Sequence, residues 1–146
     1  RYVGKMFNDD WMRERGFLEE EITKAEDVIK EHINKPLVIV RTEELVSHAI
    51  ERLKKYNISQ IPVIDTTGFV GSVDESDLFR SYVENKDIAD KPIKDVMGKP
   101  YPIVERNTPI EEISKLINKD NQAVIVNLGD GKHHIITKHD IISSIK

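Results

Sequence analysis

Apolar and polar positions follow the same order twice along the chain. Each copy has an apolar pair after a proline, a helical pattern, a short apolar run, a turn, a second apolar run and a final helical pattern. The first copy runs from Pro36 to Asp77, and the second runs from Pro102 to Asp140. Short apolar runs between turn residues predict strands, and apolar residues three or four apart predict helices. A supersecondary unit that occurs twice predicts two stacked half-cores with related clefts between them.

The first copy predicts a β-α-β-β-α unit. An extended run over residues 37–40 is followed by Thr42, which is expected to cap the first helix. Residues 62–64 and 69–73 form two apolar runs on either side of a turn, and they predict paired strands. Asp74 is expected to open the last helix of the unit, because its carboxylate can accept hydrogen bonds from the first free backbone N–H groups.

The second copy predicts the same unit. Thr108 is expected at the cap of its first helix, with Pro109 at the first helical position and Glu111 at the third. The other predicted elements of this copy are strands over residues 122–128 and 133–136 and a helix over residues 137–146. Helices beside two small sheets predict an α+β fold.

The region before the first copy predicts a linker helix. Residues 19–34 place apolar side chains on one stripe of a helix, whereas residues 1–22 belong to neither copy and are rich in large apolar groups and charges. The stripe consists of Ile22, Ala25 or Glu26, Ile29 and Ile33. We therefore expect three regions, over residues 1–34, 35–90 and 91–146.

The amino-acid composition disfavours nucleic-acid and membrane partners and excludes cysteine-dependent chemistry. Of the 146 residues, 38% are hydrophobic and 33% charged, the net charge is −4, and cysteine is absent. Scattered lysines and arginines with a negative net charge disfavour nucleic acid as a partner. The chain has no apolar stretch of about 18 residues, so no membrane partner is expected. Without cysteine, disulfides, thiol catalysis and thiolate metal sites are excluded, which fits a cytoplasmic protein.

Thr137 and Asp140 have two interpretations. They form a helix start in which the threonine caps the helix and the aspartate lies near the positive end of its dipole. A carboxylate at a helix N-terminus can also accept hydrogen bonds from both hydroxyls of a ribose. In the first copy Asp74 and Asp77 occupy the matching positions. Two carboxylates repel a phosphate and offer no hydroxyl donor, which favours a cap there.

Other polar groups give weaker indications of chemistry. His133, His134 and His139 suggest a metal site, but neighbouring strand residues point to opposite faces, and no metal site is expected. Gly129 to Lys132 lacks the spacing of a phosphate-binding loop. Nothing in the sequence forms a catalytic arrangement, so no catalytic residue is assigned.

Residues 35–146 resemble a CBS domain pair, also called a Bateman module. The resemblance is carried in the first copy by Asn57 to Asp65 with Gly71 and Asp77, and in the second copy by Thr137 and Asp140. The second copy departs from the family pattern at His134, where glycine is usual, and at Val124, where proline is usual. The resemblance implies tandem CBS domains of duplicated β-α-β-β-α units that bind an adenosyl ligand in a cleft between the repeats.

The same resemblance implies the residues of two clefts. The ribose is expected on Thr137 and Asp140, and the adenine on a wall formed by Leu37, Val38, Ile58, Ser59, Gln60, Ile61 and Pro62. A second cleft, expected to be empty, would consist of Asp74, Asp77, Ile103, Asn121, Gln122 and Ala123.

Residues 1–22 are similar to the end of the catalytic domain of cystathionine β-synthases, which use pyridoxal phosphate (PLP). The similarity rests on Arg1-Tyr2, on Lys5 to Met12 and on Gly16-Phe17-Leu18. It implies that this chain is a regulatory region that senses S-adenosylmethionine and controls its own PLP-containing catalytic domain. The chain lacks the family's cofactor-lysine motif and phosphate-cradling loop, so no cofactor and no catalysis are expected in it. The alternatives are an AMP- or ATP-sensing pair and a ligand-free dimerisation module.

A homodimer is also expected. CBS pairs resemble one another in dimerising through apolar helix faces. The side chains expected to be poorly covered in a single chain are Leu45, Ile50, Leu53, Ile113 and Ile117.

Overall fold

The computed structural model describes residues 23–30, 35–119 and 121–144. The first repeat is preceded by a short helix, α1, and two 3-10 helices connect it to the second repeat. The elements up to that connection are α1 (Ala25–Ile29), β1 (Val40–Arg41), α2 (Val46–Tyr56), β2 (Gln60–Asp65), β3 (Gly68–Asp74), α3 (Glu75–Glu84) and the 3-10 helices Lys86–Asp90 and Ile93–Asp95.

The second repeat has the same order of elements. They are β4 (Ile103–Glu105), α4 (Ile110–Leu116), β5 (Ala123–Gly129), β6 (Lys132–Thr137) and α5 (Lys138–Ser144). The predicted α+β fold of two β-α-β-β-α units is therefore confirmed. The two connecting 3-10 helices were not predicted.

Each repeat forms one sheet of three strands with the second strand in the middle. The first strand runs parallel to the middle one, with Val40 opposite Val63 in the first sheet and Ile103 opposite Ile125 in the second. The hairpin strands are antiparallel. A parallel pair needs a crossover connection, which α2 and α4 provide.

The two sheets have separate apolar cores. The buried members of the first are Val40, Val46, Ala49, Leu53, Ile61, Val63, Val73, Leu78, Ile88 and Ile93. The buried members of the second are Ala25, Val28, Ile29, Val104, Ile113, Val124, Val126 and Ile136. Helix α1 thus belongs to the core of the second repeat, although it precedes the first repeat in the sequence.

The predicted caps of the two crossover helices are wrong. Helix α2 begins at Val46 rather than after Thr42, and α4 begins at Ile110 rather than directly after Thr108. In each case the backbone of a distant segment takes the capping role. The Val46 N–H donates to the Lys91 carbonyl at 2.9 Å, and the Ile110 N–H donates to the Thr23 carbonyl at 2.8 Å.

The caps of the two final helices are confirmed. Asp74 accepts from the backbone N–H of Asp77 at 3.2 Å at the start of α3. Thr137 accepts from the backbone N–H of Asp140 at 3.4 Å at the start of α5. Of the predicted linker helix, Ala25 and Ile29 are helical and buried as expected. The predicted features at residues 1–22 and 31–34 lie outside the described residues.

Two of the five side chains expected to support dimerisation, Leu53 and Ile113, are buried within the chain and are not available to a second copy. Leu45, Ile50 and Ile117 are half-buried, and dimerisation through helix faces stays a prediction. The exposed large apolar side chains include Phe79 and Val83 of α3, which are 69% and 61% exposed.

Candidate functional site

A cavity of about 710 Å³ lies between the two repeats. One side is the junction of β6 and α5, and the other comprises the segment before β1 and the turn after α2. Seven of the nine residues predicted for the open cleft line it: Leu37, Val38, Ile58, Ser59, Gln60, Thr137 and Asp140. The two repeats thus face each other across one opening, as the duplicated pattern indicated.

Thr137 and Asp140 are held by a reciprocal cap. The Asp140 carboxylate accepts from the Thr137 backbone N–H at 2.9 Å and from its hydroxyl at 3.1 Å. The Thr137 hydroxyl oxygen in turn lies 3.4 Å from the Asp140 backbone nitrogen. These contacts fix the carboxylate at the edge of the cavity, where it can accept hydrogen bonds from hydroxyl groups of a ligand.

The opposite wall is set by the end of α2. Asn57 adopts a left-handed conformation with φ 53°, and its N–H donates to the carbonyls of Leu53 and Lys54. The chain then reverses, so Ile58, Ser59 and Gln60 border the cavity before β2 begins. The backbone carbonyl of Ser59 accepts from the Glu75 N–H at 2.8 Å, which fixes this turn against α3. Ile58 is half-buried there, and together with Leu37 and Val38 it forms the apolar part of this wall.

Ile61 and Pro62 do not line this cavity. Both are buried in β2, and Ile61 belongs to the first core. The cavity is also lined by residues that were not predicted: Lys35, Pro36, Tyr56, Asn57, His134, Ile135 and His139. Most are sequence neighbours of predicted residues, so extending each predicted segment by one or two positions finds them.

The ring of His134, a lining residue that was not predicted, contacts backbone groups through both of its nitrogens. It is 8% exposed, and its Nε2 lies 3.2 Å from the Lys35 carbonyl. Its Nδ1 accepts from the Ile135 N–H at 3.0 Å, which leaves Nε2 to donate to Lys35. His134 therefore connects β6 to the segment before β1 across the cavity. As predicted, His133 lies on the other face of the strand, where its ring contacts Phe69 edge-on at 5.1 Å.

A second cavity of about 590 Å³ adjoins the first and shares the wall around Lys35 and His134. Its charged lining includes Lys35, Arg106 and Lys132, with Glu26 and Asp130 opposing them. The adjoining space therefore carries one more cation than anion and can receive a negatively charged group.

The residues predicted for the second cleft are not gathered around one opening. Asp74 and Asp77 border a cavity of only about 40 Å³, and its described lining comes from the first repeat and the loop that follows it. Ala123 is buried, and Ile103 is 52% exposed. The remaining two side chains are bound elsewhere, since the amide groups of Asn121 and Gln122 donate to the carbonyls of Leu116 and Lys119.

Two further properties concern the part of the chain that the structure describes. Within it, no group of three or more His, Cys, Asp or Glu side chains is placed to hold a metal ion. Its helices are too short or too polar to cross a membrane.

Comparisons with known proteins agree with this architecture. The CBS domain family model matches residues 25–84 and 93–146. A cystathionine beta-synthase of Dictyostelium discoideum is 23% identical over 159 residues, which cover 97% of this chain and 31% of that protein. The chain thus spans about a third of the length of this curated relative.

Solved structures show the same fold. A CBS-domain containing protein from Agrobacterium tumefaciens superimposes with a TM-score of 0.71 at 18% identity, covering 84% of this chain and 92% of that one. The protein CBSX2, solved in complex with AMP, superimposes with a TM-score of 0.59 at 23% identity, covering 76% and 88%. The family model covers most of the chain and matches once in each repeat, so the chain belongs to the CBS domain family as a tandem pair of CBS domains.

Proposed function

We propose that this CBS pair is a regulatory module that binds one adenosyl ligand per chain in the cavity between the repeats. The observation that carries the proposal is the position of the Asp140 carboxylate, which borders a cavity of about 710 Å³ opposite an apolar wall. A ribose on Asp140 and Thr137 leaves the base facing Leu37 and Ile58. A cavity of this size is within the range of small-molecule sites.

S-adenosylmethionine is the favoured ligand. The support is the similarity over 97% of the chain to a cystathionine beta-synthase, together with the resemblance of residues 1–22 to the end of such an enzyme. In this proposal the module belongs to a longer cytoplasmic enzyme that carries pyridoxal phosphate in its catalytic domain. Ligand binding shifts the population of module conformations and thereby changes the activity of that domain.

An adenine nucleotide is the second candidate. Lys35 and His139 line the cavity, and Arg106 and Lys132 border the adjoining one, so a phosphate group has cations within reach. The related fold of CBSX2 was solved with AMP. A nucleotide would place its phosphates toward the shared wall at Lys35.

Titration calorimetry of the isolated chain with S-adenosylmethionine, AMP and ATP tests both candidates. We expect saturable binding of one equivalent, with S-adenosylmethionine tighter than either nucleotide. Tighter binding of AMP or ATP would select the second candidate. If none of the three binds at millimolar concentration, the chain is not an adenosyl sensor, and a ligand-free dimerisation module takes its place.

Self-association is part of the same proposal. Of the side chains expected from sequence, Leu53 and Ile113 are buried within the chain, whereas Phe79 and Val83 project from α3 into solvent. We infer that a homodimer forms through α3. Sedimentation of wild type and of Phe79→Ser tests it: wild type should sediment as a dimer and the variant should dissociate. A wild-type monomer at high protein concentration would contradict the inference.

A further inference from the structure

Two neighbouring cavities meet at a thin wall beside the segment that precedes β1. One is the candidate adenosyl site of about 710 Å³, and the other is the adjoining cavity of about 590 Å³. Among the described residues, both are lined by Lys35, Pro36 and Leu37 of this segment and by His134 of β6. The wall between the two spaces therefore consists of one stretch of chain and one imidazole ring.

The imidazole of His134 closes the gap between β6 and this segment. Its Nε2 lies 3.2 Å from the Lys35 carbonyl oxygen, and its Nδ1 lies 3.0 Å from the Ile135 backbone nitrogen. These two contacts hold the ring in one orientation across the gap. The residue is 8% exposed although a cavity lies on either side of it, so the ring fills the space between strand and segment.

The cations are distributed unequally on the two sides of the wall. Lys35 borders both spaces, whereas Arg106 and Lys132 line the second cavity and not the first. In the second cavity Glu26 and Asp130 oppose these three cations. Lys35, Arg106 and Lys132 are exposed, so they can turn toward an anion that enters this space. A polyphosphate there would gain charge-assisted hydrogen bonds that the first cavity does not offer.

We propose that His134 is a specificity-determining residue, whose ring confines the ligand to the first cavity and thereby prevents the chain from distinguishing ATP from AMP. The inference rests on the proposed adenosyl site and deepens it. A nucleotide with its ribose on Asp140 and its first phosphate near Lys35 meets the imidazole. The further phosphates of ATP then stay on the near side of the wall and gain no hydrogen bonds from Arg106 or Lys132. An adenosyl ligand without phosphates, such as S-adenosylmethionine, loses nothing at this wall.

His134→Ala removes the ring and tests the partition. Alanine is preferred to glycine because its Cβ keeps the segment from settling onto the strand, as the loop does at Gly71, where a Cβ would lie 3.0 Å from the Gly98 carbonyl oxygen. The measurement is calorimetric titration with AMP and with ATP in the absence of divalent cations. The ratio of the Kd of AMP to that of ATP should rise at least about tenfold over wild type, as expected for new hydrogen bonds between charged groups.

Three variants separate the partition from a general loss of structure. His134→Gln keeps an amide nitrogen near the position of Nε2 and should keep the wild-type ratio. His48→Ala removes an imidazole that lines neither cavity and should keep it as well. His134→Ala combined with Arg106→Ala and Lys132→Ala should lose the gain. If His134→Ala does not fold, as judged by circular dichroism, His134→Ser takes its place with the same expected result.

Several outcomes would overturn the partition while leaving the proposed function intact. They are an unchanged ratio in the folded His134→Ala variant, a raised ratio that persists without Arg106 and Lys132, and a wild type that already binds ATP at least about tenfold more tightly than AMP. If wild type binds S-adenosylmethionine but neither nucleotide, ATP binding should appear in His134→Ala, and its absence overturns the partition. If wild type binds none of the three ligands, the proposed function and the partition fail together.

Discussion

His134 occupies the position in the second sheet that Gly71 occupies in the first. Gly71 lies opposite Val63 of β2, and His134 lies opposite Val126 of β5, in otherwise equivalent hairpins. At Gly71 the following loop approaches the strand through backbone hydrogen bonds to Ser72. At His134 the imidazole lies between β6 and the segment before β1, and it contacts that segment through one hydrogen bond to the Lys35 carbonyl. The small cavity of about 40 Å³ lies beside Gly98, on the side of Gly71, and the large cavity of about 710 Å³ is lined by His134.

Gly71→Ala should therefore destabilise the first repeat. The added methyl would lie 3.0 Å from the Gly98 carbonyl oxygen and closer still to Met97 Sδ, and a backbone atom cannot move aside without disturbing the loop. We expect a loss of about 1–3 kcal/mol in the free energy of unfolding, as for other overpacked sites. Urea denaturation measures it.

Gly98→Ala is the matched control. Its added methyl would lie 3.5 Å from the Ser72 hydroxyl, which is ordinary van der Waals contact. The unfolding free energy should stay near that of wild type. Equal losses in the two variants would show that the close approach at Gly71 is not what limits substitution.

Asp140→Ala should weaken the binding of the adenosyl ligand. The loss of a charged hydrogen-bonding group costs about 1.5–3 kcal/mol, which corresponds to roughly a tenfold or greater rise in Kd. The variant also loses the carboxylate that caps Thr137, at a cost in stability of about 1 kcal/mol. Calorimetry at a temperature well below the unfolding transition separates the two effects.

Asp77→Ala serves as the control for the other cleft. It removes the equivalent carboxylate and should leave the affinity unchanged, because Asp77 borders only the small cavity. If Asp77→Ala abolishes binding and Asp140→Ala does not, the ligand occupies the opposite cleft.

Tyr101→Phe should stabilise the protein. It keeps the ring in its apolar cluster with Ala123 and Ile125 and removes a buried hydroxyl that lacks a partner among the described residues. We expect a gain of about 1 kcal/mol, or about 3 °C in Tm for a chain of this size. Tyr56→Phe, at a tyrosine that is 46% exposed, should have no effect. A loss of stability in Tyr101→Phe would mean that the hydroxyl has a favourable contact.

Glu44 should make folding stability depend on pH. Its carboxylate accepts two hydrogen bonds from Arg52, at 2.9 and 2.6 Å, and one from the Arg41 N–H at 2.9 Å. The hydrogen bonds from Arg52 are the main reason that the pKa of Glu44 is lowered from 4.5, and burial opposes them. A carboxyl with a lowered pKa in the folded state stabilises the fold above its ordinary pKa, and this stability is lost as the pH falls through the folded value.

Glu44→Gln tests this dependence. At neutral pH the variant should lose about 1 kcal/mol, since solvent partly screens the pair. The difference from wild type should shrink as the pH falls below about 4.5, the ordinary pKa of the group. Glu51→Gln, on the exposed face of the same helix, should follow the wild-type profile. A Glu44→Gln deficit that stays constant down to pH 3 would assign the loss to packing.

The repeat and the strands were predictable because they depend on local patterns, whereas most of the open cleft was expected from the resemblance to the CBS domain family. Alternating turns and apolar runs identified β2, β3, β5 and β6 to within one or two residues. The caps at Thr42 and Thr108 failed for a different reason. At Thr108 the Ile110 N–H is satisfied by the carbonyl of Thr23, which is distant in sequence, and no local pattern encodes that contact. At Thr42 the Glu44 N–H donates to the Arg41 carbonyl instead, and the helix begins only at Val46, whose N–H donates to the distant Lys91 carbonyl.

The burial of Tyr101 was missed for a related reason. Tyr101 differs from Lys35 by one side chain in an otherwise matching segment, and its burial depends on how closely the loop approaches β3. Gly71 was recognised as a family feature, but its role as a contact surface requires knowing that Met97 lies against it. The sequence thus predicted where two clefts could form, and packing across the repeats decided which one is open.

Each repeat is completed by contacts from a segment that lies outside it in the sequence. Thr23 caps the crossover helix of the second repeat, Lys91 caps that of the first, and α1 is sealed into the later core. During synthesis α1 is made first, and its apolar side chains stay uncovered until β5, β6 and α5 have been made. Contacts between such distant segments slow folding. A protease cut between the repeats would leave α1 on the fragment that carries the first repeat, away from the core in which it is buried.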